Sequence, residues 1–197
     1  MYFVFRSALQ EWENDVNQAK LEGSPITTQP HLWDSLPLTT QLPLITFTTR
    51  QNALMLDNYF TGTIFDLYST DLINLLSQAG IRFEQFPALV IDRTTRKPSQ
   101  KEYKIFHLLE KYSGLDKDLT EIHDDTKEII KLVLTDQCLQ SGKPLFRLAE
   151  SRNIVLIHLE LKQSLELHNI SGCRYIPLSE YCEDMHFYFD KLRKSDK

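Results

Sequence analysis

Histidine and aspartate stand side by side in the stretch "EIHDDTKE", residues 121–128. His123, Asp124 and Asp125 are of the types that bind metal ions, and adjacent carboxyl groups can share a proton. A metal-dependent hydrolase is therefore one hypothesis for this chain. Side chains one position apart point in different directions on a helix or a strand, however, and rarely converge on one ion. The favoured interpretation of the stretch is a solvated acidic loop.

Motifs for nucleophilic catalysis and for phosphate binding are absent from the sequence. No Gly-x-Ser-x-Gly occurs, and "GKP" at residues 142–144 lacks the spacing of a Walker loop. The cysteines Cys138, Cys173 and Cys182 are an odd number without a Cys-x-x-Cys pair. They predict free thiols in a reducing compartment, because neither a disulfide framework nor a zinc site fits this spacing. The sequence thus predicts no catalytic residue, no cofactor and no metal ion.

Charge is distributed unevenly along the chain, which has 27 acidic and 22 basic residues and a formal net charge of -5. Residues 110–128 hold seven acidic residues against three lysines, whereas residues 92–104 hold five basic residues against two acidic ones. Solvated loops would explain both segments. The alternative for the acidic segment is a surface that steers a basic partner, since complementary charge raises association rates. The residues that we predict to contact this partner are Asp116, Asp118, Glu121, Asp124 and Asp125.

The basic segment raises a third hypothesis, a regulatory module that binds nucleic acid through residues 93–104. The acidic net charge argues against it, because nucleic-acid-binding domains normally present a basic face. No apolar run approaches the roughly 20 residues that span a bilayer. The N-terminus lacks the cationic start of a signal peptide, and acidic residues soon interrupt its apolar run. We therefore expect a cytoplasmic protein that binds neither nucleic acid nor a membrane.

Short apolar runs separated by turn residues predict a mixed arrangement of strands and helices. The predicted strands cover residues 2–5, 44–48, 63–67, 81–91, 103–109, 129–134, 154–157 and 173–176. Helices are predicted over residues 9–21, 71–79 and 160–167. Ser69 or Thr70 can cap the second of these helices and Gly80 can end it. Its apolar stripe is formed by Leu72, Leu75, Leu76 and Ala79.

The fold class that these elements predict is α+β, with a mixed, largely antiparallel sheet and packed helices. The strands over residues 81–91 and 103–109 flank the polar turn "DRTTRKPSQ", which is typical of an antiparallel hairpin. We expect residues 1–62 to form a strand, a helix and an extended connector packed on a main domain of residues 63–197. Trp33 is the expected anchor of that connector, and an aromatic cluster at residues 187–189 is expected to dock a last helix.

Two segments of the sequence contain the same predicted secondary-structure elements in the same order. "IFDLYSTDLINLLSQAGIRFEQFPAL" and "IVLIHLELKQSLELHNISGCRYIPL" each contain a strand, a helix, a glycine and a second strand with a proline. The helices carry leucines four residues apart, at Leu72 and Leu76 and at Leu161 and Leu165. A crossover helix permits each unit to add a parallel strand pair. The repetition indicates either common α/β architecture or an internal duplication.

The second of these segments also resembles a family of bacterial immunity proteins. "PLFRLAESRNIVLIHLELKQSLELHNISGCRYIPL" is similar to the C-terminal signature of a family that is associated with polymorphic toxin systems and typified by a myxobacterial protein. The matching parts are an apolar-Phe-Arg-Leu stretch at residues 145–148, a short apolar strand, a helix, and Gly172-x-x-Tyr175-x-Pro177. The likeness extends over residues 63–178, where "EYKIFHLLEKYSGLD" matches a tyrosine-led strand that runs to Asp116.

The resemblance implies a protein that binds and neutralises a cognate toxin, usually encoded by an adjacent gene, and that performs no catalysis. The family pattern contains scaffold residues only, so the resemblance assigns no catalytic role to any position. It also leaves the chemistry of the toxin open, because immunity families pair with varied effectors. We expect the first sixty residues to lie outside the matching region.

Overall fold

The computed structural model of the protein describes residues 1–7, 18–23, 32–39, 42–50 and 55–183. Within them the helices are α1 (Thr70–Gln78), α2 (Asp136–Leu139) and α3 (Leu159–Leu167), and 3-10 helices cover Leu32–Asp34 and Leu178–Glu180. The strands of the same residues are β1 (Tyr2–Ser7), β2 (Lys20–Leu21), β3 (Ile45–Thr49), β4 (Asn58–Tyr59), β5 (Asp66–Ser69), β6 (Phe83–Asp92), β7 (Tyr103–Leu108), β8 (Lys111–Tyr112), β9 (Glu121–Ile122), β10 (Ile129–Lys131), β11 (Leu145–Leu148), β12 (Val155–His158) and β13 (Cys173–Pro177). None of the helices among these residues has the length and apolar character that crossing a membrane requires.

The strands of the described residues form three sheets. The first has the order β13–β1–β12–β11–β8, the second has the order β2–β3–β6–β7–β5–β4, and the third is the hairpin of β9 and β10. Neighbouring strands run antiparallel, except that β3 with β6 and β11 with β8 are parallel. The predicted α+β fold with a mixed, largely antiparallel sheet is therefore confirmed.

The two predicted strand–helix–strand units are present, but their strands do not pair with each other. In the unit β5–α1–β6, both strands lie antiparallel to β7, which stands between them. In the unit β12–α3–β13, both strands lie antiparallel to β1, which stands between them. The parallel pairs that a crossover helix permits are thus split by a third strand. A helix about 10 Å wide covers two strand spacings of about 4.8 Å each, so this arrangement leaves room for the inserted strand.

The ends of the two long helices follow from local chemistry. Ser69 precedes α1, and its Oγ accepts a hydrogen bond from the Leu72 N–H at 3.2 Å, as the sequence predicts. Gly80 ends α1 with a φ of 73°. The equivalent left-handed position after α3 is Asn169, with a φ of 54°. Asparagine is the residue after glycine that most often takes this position, so Gly172 is not the counterpart of Gly80.

A buried cluster between the first two sheets joins the two units. Leu72 and Leu76 of α1 pack in one cluster with Leu161 and Leu165 of α3. Phe5 of β1 and Tyr68 of β5 meet edge-on within it, with ring centroids 6.4 Å apart. Further apolar clusters cover the opposite faces of both sheets. Because both faces of the strands are covered, β11 is buried at every position, its charged residue Arg147 included.

Several predicted bounds differ from the structure. Lys20 and Leu21, expected at the end of a helix, form β2 and pair with β3; residues 9–17 lie outside the described residues. β5 begins at Asp66 instead of residue 63, because Thr61 donates its hydroxyl to the Phe65 carbonyl and closes a turn there. Residues 187–189 and the side chain of Trp33 lie outside the described part. The predicted division of the chain at residue 62 stays a prediction, although β1 lies between β12 and β13 of the second strand–helix–strand unit.

Candidate functional site

The acidic segment predicted to face a partner forms a β-hairpin and the loop before it. β9 and β10 pair with Ile122 opposite Ile129. The turn closes where the His123 N–H donates to the Glu128 carbonyl at 2.8 Å and the Lys127 N–H donates to the His123 carbonyl at 2.9 Å. Lys127 has a φ of 60°, the left-handed conformation that reverses the chain in many hairpins. The turn therefore holds its acidic residues in a defined conformation.

The histidine of this segment serves the turn itself. His123 Nδ1 accepts hydrogen bonds from the backbone N–H groups of Asp125 at 3.3 Å and Thr126 at 3.4 Å. Across the residues that the structure describes, no three His, Cys, Asp or Glu side chains are grouped to hold a metal ion. His123, Asp124 and Asp125 are thus consecutive turn residues that the structure does not gather into a metal-binding group.

The loop before the hairpin is tied down by hydrogen bonds at both ends. Asp116 Oδ1 accepts from the N–H groups of Asp118 at 3.0 Å and Leu119 at 3.1 Å, a turn that aspartate side chains commonly form. Thr120 Oγ1 donates to the Val133 carbonyl at 3.1 Å and accepts from the Val133 N–H at 3.2 Å. The carboxylate of Asp116, predicted to contact a partner, is therefore used within the loop.

Three of the five predicted contact residues keep their carboxylates unengaged. The side chains of Asp118, Asp124 and Asp125 are exposed and make no hydrogen bond or ion pair with any described residue. Glu121 is also exposed, and it pairs with Lys131 at 2.9 Å. An exposed pair of this kind contributes at most about 1 kcal/mol and can open for a partner. Three carboxylates without a partner among the described residues, and one weakly paired carboxylate, thus face solvent on this segment.

Two apolar side chains stand among these charges. Leu119 is 59% exposed and Ile122 is 45% exposed. Neither residue was predicted as part of the contact surface, although the run "DLTEIHDD" places them between acidic residues where no buried face is predicted. Large exposed apolar side chains in a charged rim are a feature of binding surfaces. We call the set of Asp118, Leu119, Ile122, Asp124 and Asp125 the hairpin surface.

The hairpin surface rests on the apolar core of the first sheet. Ile129 of β10 is buried, and Leu132 and Leu134 beyond it pack in the same cluster as Phe146 of β11. Glu183 fixes the hairpin from the other side: its N–H donates to the Ile129 carbonyl at 2.8 Å and its Oε2 accepts from the Ile129 N–H at 3.0 Å. The exposed side chains are consequently presented on an ordered support.

The basic segment between β6 and β7 is partly neutralised within the protein. Arg96 forms a two-pronged contact with Glu22, with Nη1 to Oε1 at 2.6 Å and Nη2 to Oε2 at 3.1 Å. Lys101 pairs with the buried Asp57 at 2.6 Å. Two of its five basic side chains therefore have carboxylate partners inside the chain, which weakens the case for a nucleic-acid surface.

Two of the three cysteines have a raised pKa: Cys138 is buried and Cys173 is half-buried. Burial raises the pKa of Cys173 to about 12, partly opposed by a hydrogen bond from the Asn58 side chain. Burial, followed by the charge of Glu150, raises the pKa of Cys138 to about 11. Both groups stay protonated near neutral pH, and a thiol is a far weaker nucleophile than a thiolate.

Comparison with protein-family models and with curated proteins finds no match for the chain.

Proposed function

We propose that this protein is an immunity protein that binds a cognate bacterial toxin and neutralises it by occluding the toxin's active site. The observation that carries the proposal is the hairpin surface, where Leu119 and Ile122 stand exposed among unpaired carboxylates on an ordered support. The resemblance of residues 63–178 to the immunity family supplies the class of partner. The protein performs no chemistry of its own in this proposal.

The composition of the hairpin surface suits a tight protein–protein contact. Binding energy in such contacts comes from a few apolar anchors that are fully desolvated on association, surrounded by a polar rim. Leu119 and Ile122 are the anchors, and Asp118, Asp124 and Asp125 are the rim. Because the hydrogen bonds of the loop and turn already fix the backbone, little conformational entropy is lost on binding.

The charge of the hairpin surface indicates the partner's chemistry. Unpaired carboxylates attract a partner with a basic face, and such complementarity raises association rates by one to about three decades. A toxin that acts on nucleic acid presents a basic active-site cleft for the same electrostatic reason. The proposed partner is therefore a basic protein toxin that is encoded by an adjacent gene. In this proposal the two proteins bind each other in the cytoplasm of the producing cell.

Coexpression with the adjacent gene product tests the proposal. A tagged copy of this protein is expected to retain the neighbouring product on an affinity column and to restore growth to cells that express it. The same cells carrying an unrelated immunity protein serve as the control. Failure of both copurification and growth rescue would refute the proposed function.

A further inference from the structure

An open cleft of about 680 Å³ lies where the first two sheets meet. Its walls include the end of β1 at Arg6, Asp66 and Tyr68 of β5, Arg147 of β11 and Val155 of β12. The volume falls within the roughly 300–1,000 Å³ of typical small-molecule sites. The cleft is separate from the anchors of the hairpin surface, although residues 126–128 of the hairpin turn line it.

Arg147 is a buried cation that forms no ion pair with a carboxylate of the described residues. It lies opposite Val155 in the first sheet and is only 5% exposed. One Nη atom donates to the Arg152 carbonyl, whereas Nε is buried and has no hydrogen-bond partner among the described residues. An unsatisfied buried donor costs about 1–3 kcal/mol, and more on a charged group. Such a group in a cleft wall is suited to a ligand that supplies the missing acceptor.

Asp66 lines the same cleft with an unengaged carboxylate. Partial desolvation by the cleft walls raises its pKa, and the charges of Arg147 and His107 oppose this rise. The side chain remains in contact with solvent and forms no hydrogen bond with the described residues. Arg147 and Asp66 therefore influence each other electrostatically, and both line the cleft, without forming an ion pair with each other.

Most other charged side chains around the cleft are already engaged. Arg152 pairs with Asp34 at 3.3 Å, and Arg6 donates to the Tyr181 hydroxyl at 2.8 Å. Glu150 accepts from Ser113 and from the backbone of residue 114. Glu183 accepts from the backbone of β10. Lys127 and Glu128, on the hairpin turn, are the charged residues of the rim. The engaged groups build the walls, and Arg147 and Asp66 provide the recognition chemistry within them.

We propose that the cleft binds a small molecule with a carboxylate or phosphate group, which Arg147 receives through Nε and the adjacent Nη. A planar guanidinium presents parallel donors that match both kinds of oxyanion. Asp66 accepts a hydrogen bond from a hydroxyl or amine elsewhere on the ligand. The side chains of Phe5, Phe60 and Phe65 contribute apolar surface to the wall of the cleft. This inference stands independently of toxin binding, because it concerns the isolated protein and a different set of residues.

Titration of the isolated protein with sulfate and with acetate tests the site. In NMR spectra, the backbone amide resonances of the residues that line the cleft are expected to shift saturably as one or both anions are added. Chloride at equal ionic strength serves as the control and is expected to cause no saturable shift. Saturation by sulfate indicates a phosphate-bearing ligand, and saturation by acetate alone indicates a carboxylate. The variant Arg147→Met is expected to weaken binding about tenfold or more, or about 1.4 kcal/mol. Arg82→Met, which removes an exposed arginine paired with Glu110, is expected to leave the affinity unchanged.

The variant Asp66→Asn gives a second, opposite readout. It removes a negative charge beside the bound anion at a solvent-accessible position, so the anion is expected to bind more tightly. If Arg147→Met does not fold, the Asp66→Asn variant alone tests the site, by whether it binds the anion more tightly or more weakly than the unmodified protein. Three results would overturn the site: no saturable shift in the unmodified protein, unchanged affinity in a folded Arg147→Met variant, or weaker binding in Asp66→Asn.

Discussion

Asp57 accepts two hydrogen bonds from Ser171, a residue 114 positions later in the chain. Its Oδ2 lies 2.9 Å from the Ser171 backbone nitrogen and 2.7 Å from Oγ. Its Oδ1 accepts from Ser69 Oγ at 2.7 Å and from Lys101 Nζ at 2.6 Å. Ser69 caps α1, Lys101 precedes β7, and Ser171 precedes β13. One buried carboxylate thus connects the two strand–helix–strand units.

Replacing Asp57 by asparagine is expected to destabilise the fold by about 3 kcal/mol, because Lys101 loses its counter-charge and an amide NH2 group faces other donors. Denaturant unfolding followed by circular dichroism measures the loss. Asp124→Asn is the matched control, since its exposed carboxylate makes no bond with the described residues. Equal stability of the two variants would show that the Asp57 network contributes nothing.

The same carboxylate predicts a pH dependence. Burial raises the pKa of Asp57, but hydrogen bonds from Lys101, Ser171 and Ser69 outweigh it and leave the pKa below its ordinary value of 3.8. The stabilisation is therefore present above the unfolded pKa and is lost as the pH falls through the folded pKa. We expect the difference in unfolding free energy between the unmodified protein and Asp57→Asn to be constant near neutral pH and to shrink below pH 3.8. A difference that grows on acidification would contradict the assigned direction.

Gly172 and Gly80 form a matched pair for a packing test. Both have positive φ, at 76° and 73°, but an added Cβ at Gly172 would collide with the Asn58 carbonyl, whereas nothing lies within 4 Å of one at Gly80. Gly80→Ala is expected to cost about 1 kcal/mol from backbone strain alone. Gly172→Ala is expected to cost about 3 kcal/mol, because strain and overpacking add. Similar thermal midpoints for the two variants would contradict the close packing at Gly172.

Local chemistry explains which elements the sequence could predict. Helix α1 has a capping Ser69, a leucine stripe and a terminating Gly80, and all three signals agree with its observed bounds. The β6–β7 hairpin was predictable for the same reason, because its turn lies between two apolar strands. In both cases the deciding contacts join residues that are close in sequence.

Long-range pairing explains what the sequence could not predict. Nothing in β1 indicates that it stands between β12 and β13, since any apolar strand could complete that sheet. Arg147 lies in an apolar run that predicts only a buried strand, and its missing partner becomes visible once the cleft around it is known. Asn169 takes the place of glycine at the end of α3, so Gly172, the glycine of the repeated sequence pattern, does not mark the end of that helix.

Thiol reactivity offers a test of burial. The raised pKa values of Cys138 and Cys173, about 11 and about 12, predict slow reaction with a disulfide reagent at neutral pH. In the variant Cys182→Ser, both remaining thiols are expected to react fast only after denaturant is added. Rapid labelling of the native variant would contradict the shielding of these two side chains.

The hairpin surface predicts that charge and apolar contacts affect different rate constants for the proposed toxin. Replacing Asp118, Asp124 and Asp125 together by asparagine is expected to slow association about tenfold or more and to reduce its salt dependence, because steering acts on the encounter. Replacing Leu119 and Ile122 by serine is expected to speed dissociation, with a loss of about 2 kcal/mol or more, because desolvated anchors hold the complex together. Surface plasmon resonance at two salt concentrations separates the two effects.

Leu167→Ser is the matched control for the apolar pair, because Leu167 is 80% exposed on α3 and lies outside the hairpin surface. Neither set of substitutions is expected to lower the stability of the free protein, since every altered side chain is exposed. If the Leu119 and Ile122 variant binds the toxin as tightly as the Leu167→Ser control, the toxin contacts another face. Neutralisation would then have to be assigned to a surface outside the acidic segment, even if the two proteins copurify.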